Sequence, residues 1–158
     1  KAWHDYYKQD IDNVHLFVIE MNKHCLHKRK FSDDFIKLAK SQEVRYGCKN
    51  KLIIIDTLSH ALDGLAENSS TEVSRLLKEL LYINSELNTS TMLVHHSTKK
   101  TSEIRGSSAI LATLDTSISV QRYNNVIDVE LDKQKDGMQY SMKFYIEMTN
   151  DSCIIKKI

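Results

Sequence analysis

The sequence predicts an α/β fold in which a mainly parallel, doubly wound sheet is followed by an antiparallel β meander. In the first two thirds, apolar runs without a polar face at residues 52–55 and 91–94 alternate with amphipathic helical segments. Strands that are buried on both faces of a parallel sheet have this composition. In the last third the hydrophobic period changes to two residues, which is typical of half-buried antiparallel strands.

The first half of the chain begins with three predicted elements. Residues 14–20 are β-branched and aromatic, which predicts a buried strand. Ser32, followed by two aspartates, predicts the N-cap and acidic first turn of a helix. The apolar residues that this helix would carry are Phe35, Ile36, Leu38 and Ala39. Residues 52–55 then predict a central strand of a parallel sheet, buried on both faces.

A capping-box pattern, Ser69-x-x-Glu72, predicts the start of the next helix. The apolar residues at amphipathic spacing along it are Val73, Leu76, Leu77, Leu80, Leu81 and Leu87. Residues 91–94 form the following strand, which ends at His95-His96. Strands and helices in this order require right-handed crossovers and a doubly wound sheet. Residues 104–114 mix Gly106 with small residues, and the pattern leaves helix and loop both open there.

The last third predicts a β meander. Ile127, Val129 and Leu131 alternate with acidic residues, and an apolar alternation returns over residues 142–146. Asp136-Gly137 between them is a strong turn dipeptide. Residues 152–158 predict a final strand. Lys133 and Lys135 are two residues apart, so we expect them on the same strand face as Leu131, close to the turn.

Size, charge and cysteine content restrict the class of protein. The 158 residues predict one domain, with residues 1–121 as its parallel part and 122–158 as its antiparallel part. The net charge of +1 excludes a general electrostatic attraction to nucleic acid, so DNA binding would need a local patch or an assembled ring. Three irregularly spaced cysteines indicate reduced thiols in a cytoplasmic protein. No apolar run reaches the roughly 18–20 residues of a membrane span.

Two polar residues end the two apolar strands. Asp56 follows residues 52–55, and His96 follows residues 91–94. Ligands of doubly wound sheets bind at the carboxyl ends of the strands. A carboxylate there can order the water molecules around Mg²⁺ in a nucleotide site. The alternative is structural, because strand-end aspartates often cap the next turn and strand-end histidines are often satisfied within the fold.

Five segments in order resemble the RepA-type hexameric replicative helicases and related RecA-like ATPases. They are LIIIDT, the capped helix, MLVHHSTK, IRGSSAI and DKQKDG. The resemblance runs over nearly the whole chain and implies a RecA-like P-loop NTPase core. It also implies hydrolysis of ATP with Mg²⁺, a hexameric ring, and binding of single-stranded DNA during replication. Because Lys1 is not a methionine and the chain opens on a helix-like segment, we expect an N-terminally truncated domain.

The resemblance also implies roles for individual residues around the nucleotide. Asp56 is similar to the Walker B aspartate, which holds Mg²⁺ through water. Thr57 and Arg105 correspond to positions that contact the nucleotide. His96 is similar to the sensor of the γ-phosphate, where relatives of the DnaB type carry Gln or His. A side chain bonded to the terminal phosphate can report hydrolysis to the neighbouring loop.

Two pairs of lysines complete the implied site. Lys99 and Lys100 lie where ring motors carry a loop facing the central channel, and such loops repeated around a ring attract single-stranded DNA. A solvated lysine pair is the alternative. Lys133 and Lys135 resemble the K-x-R-[DN]-G element that reaches the γ-phosphate of a neighbouring subunit. Lysine at the second position keeps the charge but not the guanidinium fork.

The sequence contains no G-x-x-x-x-G-K-[ST] phosphate loop. In the resembling family that loop lies upstream of the position of Lys1, so we expect residues 1–158 alone to bind ATP poorly and not to turn it over. Three hypotheses remain. The chain belongs to a ring-forming motor ATPase, or it is a RecA-like module that binds DNA or a partner without hydrolysis. In the third, it is an α/β domain in which Asp56 and His96 are structural.

Overall fold

The computed structural model describes residues 15–19, 26–96, 108–149 and 152–158. They form two compact units, residues 26–96 with 108–113 and residues 15–19 with 114–149 and 152–158. The first unit holds a two-stranded parallel sheet and the second a four-stranded antiparallel sheet. The prediction of an α/β fold with a parallel part before an antiparallel meander is confirmed. Over the described residues, no helix is both long and apolar enough to cross a membrane.

The first unit follows a strand–helix–strand plan. Its elements are α1 (Arg29–Tyr46), β1 (Leu52–Asp56), α2 (Leu58–Leu62), α3 (Ser70–Leu87), β2 (Ser90–Val94) and α4 (Ser108–Thr113). The two strands pair in parallel, with Leu52 opposite Ser90 and Asp56 opposite Val94. A parallel pair requires a crossover, and α2 and α3 together supply it.

Helix α3 anchors the crossover through a buried apolar face. The buried apolar residues are Val73, Leu76, Leu77, Leu80, Ile83 and Leu87. Leu81, which we predicted on this face, is exposed, and Ile83 takes its place. Ser69 caps the helix as predicted, because its hydroxyl accepts the Glu72 N–H at 3.4 Å. The Glu72 carboxylate accepts the Ala66 N–H at 2.5 Å, so its side chain supports the loop before the cap.

The predicted start of the first helix is wrong. Helix α1 begins at Arg29 with Lys28 as its N-cap, and its first turn contains no acidic residue. Ser32 therefore lies inside the helix, where it is fully buried. Its hydroxyl donates to Glu79 Oε2 of α3 at 2.8 Å. The serine is a contact between helices, and a local capping rule cannot detect a partner 47 residues away.

A polar cluster joins α1 to α3 around that contact. The buried Glu79 carboxylate also forms a salt bridge with Arg29, with 3.2 Å between Nη2 and Oε1. The Arg29 guanidinium lies 3.7 Å from the centre of the Tyr82 ring, and Tyr82 donates its hydroxyl to Asp33 Oδ1 at 3.1 Å. The hydrogen bond to Asp33 raises the pKa of Tyr82. Because a buried carboxylate is tolerated only with partners, this cluster makes the α1–α3 packing specific.

The prediction that residues 52–55 are buried on both faces is wrong for the described structure. Ile55 is buried, but Leu52 and Ile54 are 49% and 56% exposed. Met92, opposite Ile54 on β2, is 47% exposed. Helices α2 and α3 contact the strand pair, and the face that carries these three side chains remains open among the described residues. An apolar run predicts that both faces of a strand favour burial. Whether the second face is buried depends on residues outside the run.

The connection from α1 to β1 is fastened by one carboxylate. Gly47 ends the helix at a positive φ of 66°, a conformation that glycine adopts without a steric penalty. Glu43 accepts the Asn50 backbone N–H at 2.9 Å and Lys49 Nζ at 3.1 Å. These contacts, led by the Asn50 N–H, lower the pKa of Glu43 below its ordinary value. Asn50 Nδ2 also donates to the Ala39 carbonyl at 3.2 Å, so the strand start is held against the helix.

The second unit is an antiparallel sheet in the order of the chain. Its strands are β3 (Thr116–Tyr123), β4 (Val126–Gln134), β5 (Ser141–Met148) and β6 (Cys153–Lys157). The predicted alternation, return strand and final strand are confirmed. The sequence-based boundary between residues 121 and 122 falls inside β3. The buried strand predicted at residues 14–20 is not formed over its described part, residues 15–19. None of the described strands pairs with these residues, and Leu16 and Val18 are exposed.

An irregularity in the β3–β4 pairing changes the expected position of Lys133. Ile118 is opposite Leu131, but the adjacent Ser117 is opposite Lys133, so β4 contains one extra residue at Asp132. Adjacent residues on β3 point to opposite faces, and Lys133 therefore lies on the face opposite Leu131. The expectation that the lysine shares the Leu131 face is wrong, because a β-bulge interrupts the period of two.

We predict that Ser32→Ala lowers the free energy of unfolding by about 1–3 kcal/mol, because the buried Glu79 carboxylate loses a donor. Urea denaturation measures the change. Ser41→Ala is the matched control, since Ser41 lies exposed on the same helix and donates only to the Leu38 carbonyl. We expect its effect to stay within about 0.5 kcal/mol. Equal unfolding free energies for the two variants would show that the Ser32 contact adds no stability.

We predict that Glu43 contributes a pH-dependent part of the stability. Its folded pKa is lowered from 4.5, so the contribution is present above that value and is lost as the pH falls through the folded pKa. Glu43→Gln should therefore lower the melting temperature at pH 7 and have little effect in strong acid. Thermal unfolding between pH 7 and pH 3 measures this. Lys49→Met keeps the hydrogen bond from the Asn50 N–H and should remove only the smaller part of the pH-dependent stability. A Glu43→Gln effect that is independent of pH would refute the assignment.

Candidate nucleotide-binding site

The structure brings the ends of β1 and β2 to one edge of the parallel sheet. Asp56 is the last residue of β1 and is paired with Val94, the last residue of β2. His95 and His96 follow Val94 directly, so His96 lies two residues beyond the position opposite Asp56. Both Asp56 and His96 are exposed, whereas His95 is half-buried. The two residues that the sequence selected thus lie at the carboxyl edge of the sheet, where ligands of such sheets bind.

Thr57 connects Asp56 to α2. It is buried, and its carbonyl accepts the Ala61 N–H at 3.0 Å as the N-cap of the helix. The Asp56–Thr57 peptide bond is cis. Helix α2 is held by three side chains without solvent exposure: Leu58, Ala61 and Leu62. The buried side chains of α2 therefore fix the course of the backbone that follows Asp56.

The donor set at this edge fits Mg²⁺ bound through water. In the described part of the chain, no group of three or more His, Cys, Asp or Glu side chains could hold a metal ion by itself. Mg²⁺ in nucleotide sites is typically held by one or two carboxylates, with water molecules and phosphate oxygens as the remaining ligands. The exposed Asp56 carboxylate can provide such a contact, and the other ligands would come from water and the nucleotide.

Lys133 and Lys135 belong to the second unit. Lys133, on β4, is half-buried, and the opposite residue Ser117 is buried. Lys135 follows the end of β4 and donates its backbone N–H to the Asp115 carbonyl at 2.9 Å. Its Nζ lies 3.5 Å from Asp115 Oδ1, and its side chain is 67% exposed. Lys135 is thus exposed at the end of the β4–β5 hairpin, close to the turn, with Asp115 beside it.

Three predicted site residues lie outside the described residues. They are Lys99 and Lys100, assigned to nucleic-acid binding, and Arg105, assigned to the nucleotide. Their assignments, like the roles of the other site residues, stay predictions.

Sequence reasoning missed one residue near Asp56. His60 Nδ1 lies 3.4 Å from Thr57 Oγ1, and His60 is exposed at the start of α2. A threonine N-cap followed three residues later by a polar side chain has the spacing of a capping box. That spacing is the signal that could have found His60.

Comparisons with known proteins agree with the fold. One solved structure, an ATPase domain, superimposes with a TM-score of 0.59 at 16% identity, over 72% of this chain and 47% of the other. A DnaB-like replicative helicase, solved to describe its interactions with primase, gives a TM-score of 0.57 at 13% identity. That match covers 78% of this chain and 35% of the helicase. The chain thus spans about half the length, or less, of these structures, and its fold is that of RecA-like helicase ATPase domains.

Comparison with curated proteins finds no match for the sequence. A protein family described as an AAA domain matches residues 1–102, which include β1, Asp56, Thr57, β2 and His96. The match covers more than half of the chain. On this ground the chain belongs to the AAA domain family.

Proposed function

We propose that the chain is the C-terminal part of a RecA-like ATPase of the RepA helicase type. It would couple ATP hydrolysis to the binding or unwinding of single-stranded DNA during replication in the cytoplasm. The observation that carries the proposal is the in-register pairing of β1 with β2, which brings Asp56 and His96 to one edge of the sheet. The AAA domain match over the same strands supports a nucleotide as the ligand of that edge.

In this proposal Asp56 and His96 act on different parts of the nucleotide. Bound Mg²⁺ neutralises charge on the β- and γ-phosphates. The Asp56 carboxylate would hold such an ion through water, by accepting hydrogen bonds from its water ligands. Thr57 positions the backbone that carries Asp56. His96 would donate a hydrogen bond to the terminal phosphate. When hydrolysis removes that phosphate, the loss of the hydrogen bond would change the position of the residues that follow β2.

Lys133 and Lys135 would act on a neighbouring subunit. The exposure of Lys135 at the hairpin end supports this role, because a side chain that acts across an interface must extend beyond its own sheet. A cation supplied in trans stabilises the charge that develops on the transferred phosphoryl group. The nearby Asp115 carboxylate would orient the ammonium until the neighbour's phosphate replaces it.

The track and the assembly complete the proposal. Lys99 and Lys100 would contact the phosphates of single-stranded DNA, and Arg105 would contact the nucleotide. A pair of lysines contributes little alone, but six copies around a hexameric ring would form a continuous positive surface. The ring also explains how a chain with a net charge of only +1 could hold nucleic acid.

A second candidate function is a RecA-like module that binds DNA or a replication partner without hydrolysis. The absence of a G-x-x-x-x-G-K-[ST] sequence from residues 1–158 favours it if no such loop is joined to this domain. Calorimetry with Mg-ATP on residues 1–158 addresses the point directly. Micromolar binding would contradict our expectation that these residues bind ATP poorly.

We predict that Asp56→Asn abolishes DNA-stimulated ATP hydrolysis by the chain extended upstream to include any phosphate loop. The amide keeps the shape but loses the charge that orders the water around Mg²⁺, so we expect a fall of at least about a hundredfold in kcat. Asp63→Asn is the matched control, because Asp63 ends α2 at a φ of 48° that asparagine also tolerates. Turnover by Asp56→Asn at the wild-type rate would eliminate the motor proposal.

We predict that Lys133→Ala and Lys135→Ala each lower kcat by about ten- to a thousandfold, because the phosphoryl group loses a cation. Lys143→Ala is the control, since Lys143 lies exposed on β5 and pairs with Asp128 at 3.4 Å. Mixing the Lys135→Ala protein with the Asp56→Asn protein tests action in trans. Mixed rings contain interfaces with an intact Asp56 on one side and an intact Lys135 on the other, so activity should return. No recovery would place the lysine's action within its own subunit.

A further inference from the structure

The Thr57 side chain does not perform the usual task of a threonine at a helix N-cap. Such hydroxyls normally accept an N–H from the second or third residue of the helix. Thr57 makes no side-chain capping bond, although it is the N-cap of α2. Its Oγ1 lies instead 3.4 Å from Nδ1 of the His60 ring, and Thr57 as a whole is only 7% exposed. The hydroxyl is therefore directed by a side chain rather than by the helix backbone.

The position of His60 is determined by the packing of α2. His60 is the third residue of that helix, and its neighbours Ala61 and Leu62 are fully buried. Side chains at the third position can reach back to the N-cap, as those of Glu and Gln do in capping boxes. Because the buried side chains fix the helix, the backbone of His60 is held one turn from Thr57, and its ring reaches Thr57 Oγ1.

A hydroxyl has one proton and two acceptor lone pairs. Once one of these is engaged by the imidazole, the directions that remain for other partners are restricted. Thr57 directly follows Asp56, so its hydroxyl is attached to the same short backbone segment as the candidate Mg²⁺ carboxylate. A group that orients this hydroxyl can act on the site without contacting the nucleotide itself.

We propose that His60 is a positioning residue of the candidate nucleotide site, which holds the Thr57 hydroxyl in one orientation beside Asp56 for the hydrated Mg²⁺–nucleotide. The proposal rests on the proposed function and adds a residue to it. Its action passes through Thr57, so removing the ring or the hydroxyl should have the same effect. Removing both should cost no more than removing one, because residues that act as one unit are not additive.

The experiment compares His60→Ala, Thr57→Val, the double variant and Thr57→Ser in the chain extended upstream to include any phosphate loop. Ser59→Ala is the matched control, since Ser59 is exposed in the same helical turn. Steady-state hydrolysis gives kcat and KM for ATP. Titration of a fluorescent ADP derivative against Mg²⁺ gives the Mg²⁺ concentration at half-saturation, which is independent of turnover. Thermal unfolding reports the folded state of each variant.

We expect His60→Ala and Thr57→Val to lower kcat by about tenfold, the change that corresponds to the loss of one hydrogen bond in the transition state. KM for ATP should change less than about twofold, and half-saturation should require more Mg²⁺. The double variant should match the single variants. Ser59→Ala should match the wild type, and Thr57→Ser, which retains the hydroxyl, should lose less activity than Thr57→Val.

Several results would overturn the proposal. They are wild-type kcat and Mg²⁺ dependence in His60→Ala, multiplied effects in the double variant, and a loss that only follows a lower melting temperature. If Asp56→Asn is inactive while His60→Ala is fully active, the proposed function stands and this inference alone fails. If the wild type does not hydrolyse ATP, the Mg²⁺ titration with the ADP derivative still tests whether His60→Ala and Thr57→Val require more Mg²⁺ than the wild type. Absence of nucleotide binding would refute the inference together with the proposed function.

Discussion

The parallel pairing of β1 with β2 is the constraint on which the candidate site depends. Asp56 and His96 are 40 residues apart in sequence, and only the in-register pairing of Asp56 with Val94 brings the two strand ends together. The pairing in turn depends on α3, whose apolar face is buried over most of its length. Without that face no crossover would return the chain to β2 in the same direction, and each polar strand end would lie alone.

Polar contacts hold the amino ends of β1 and β2, opposite the candidate site. Glu43 fastens the loop before β1 by accepting the Asn50 N–H. Asn84, in the last turn of α3, accepts the Thr91 hydroxyl at 2.7 Å and so fastens β2 to the helix. The buried Glu79 links the two helices that precede these strands. Both strands are thus positioned from their amino ends, and Asp56 and His96 at the other ends are exposed.

In the antiparallel unit, a bulge in β4 determines the direction of the side chains near the β4–β5 hairpin. The extra residue in β4 at Asp132 reverses the face on which Lys133 lies. Asp132 and Ser119 contact each other through their side chains beside the bulge, and Asp115 lies next to Lys135. Bulges commonly redirect a side chain near a functional site. The two lysines of the K-x-K sequence consequently have different surroundings, one half-buried on the sheet and one exposed at its end.

The sequence by itself determined helix α3 with its Ser69 cap, strands β1 and β2, the antiparallel strands β4 to β6, and the polar strand ends Asp56 and His96. These are local patterns, and hydrophobic period and capping chemistry describe them well. The tertiary structure alone decided the start of α1, the single buried face of β1, the face of Lys133 and the contact of His60 with Thr57. Each of these depends on a partner or on packing outside the local sequence pattern: a carboxylate on another helix, a strand face that the described residues leave open, a bulge in the β3–β4 pairing, or an imidazole one helical turn from a buried threonine.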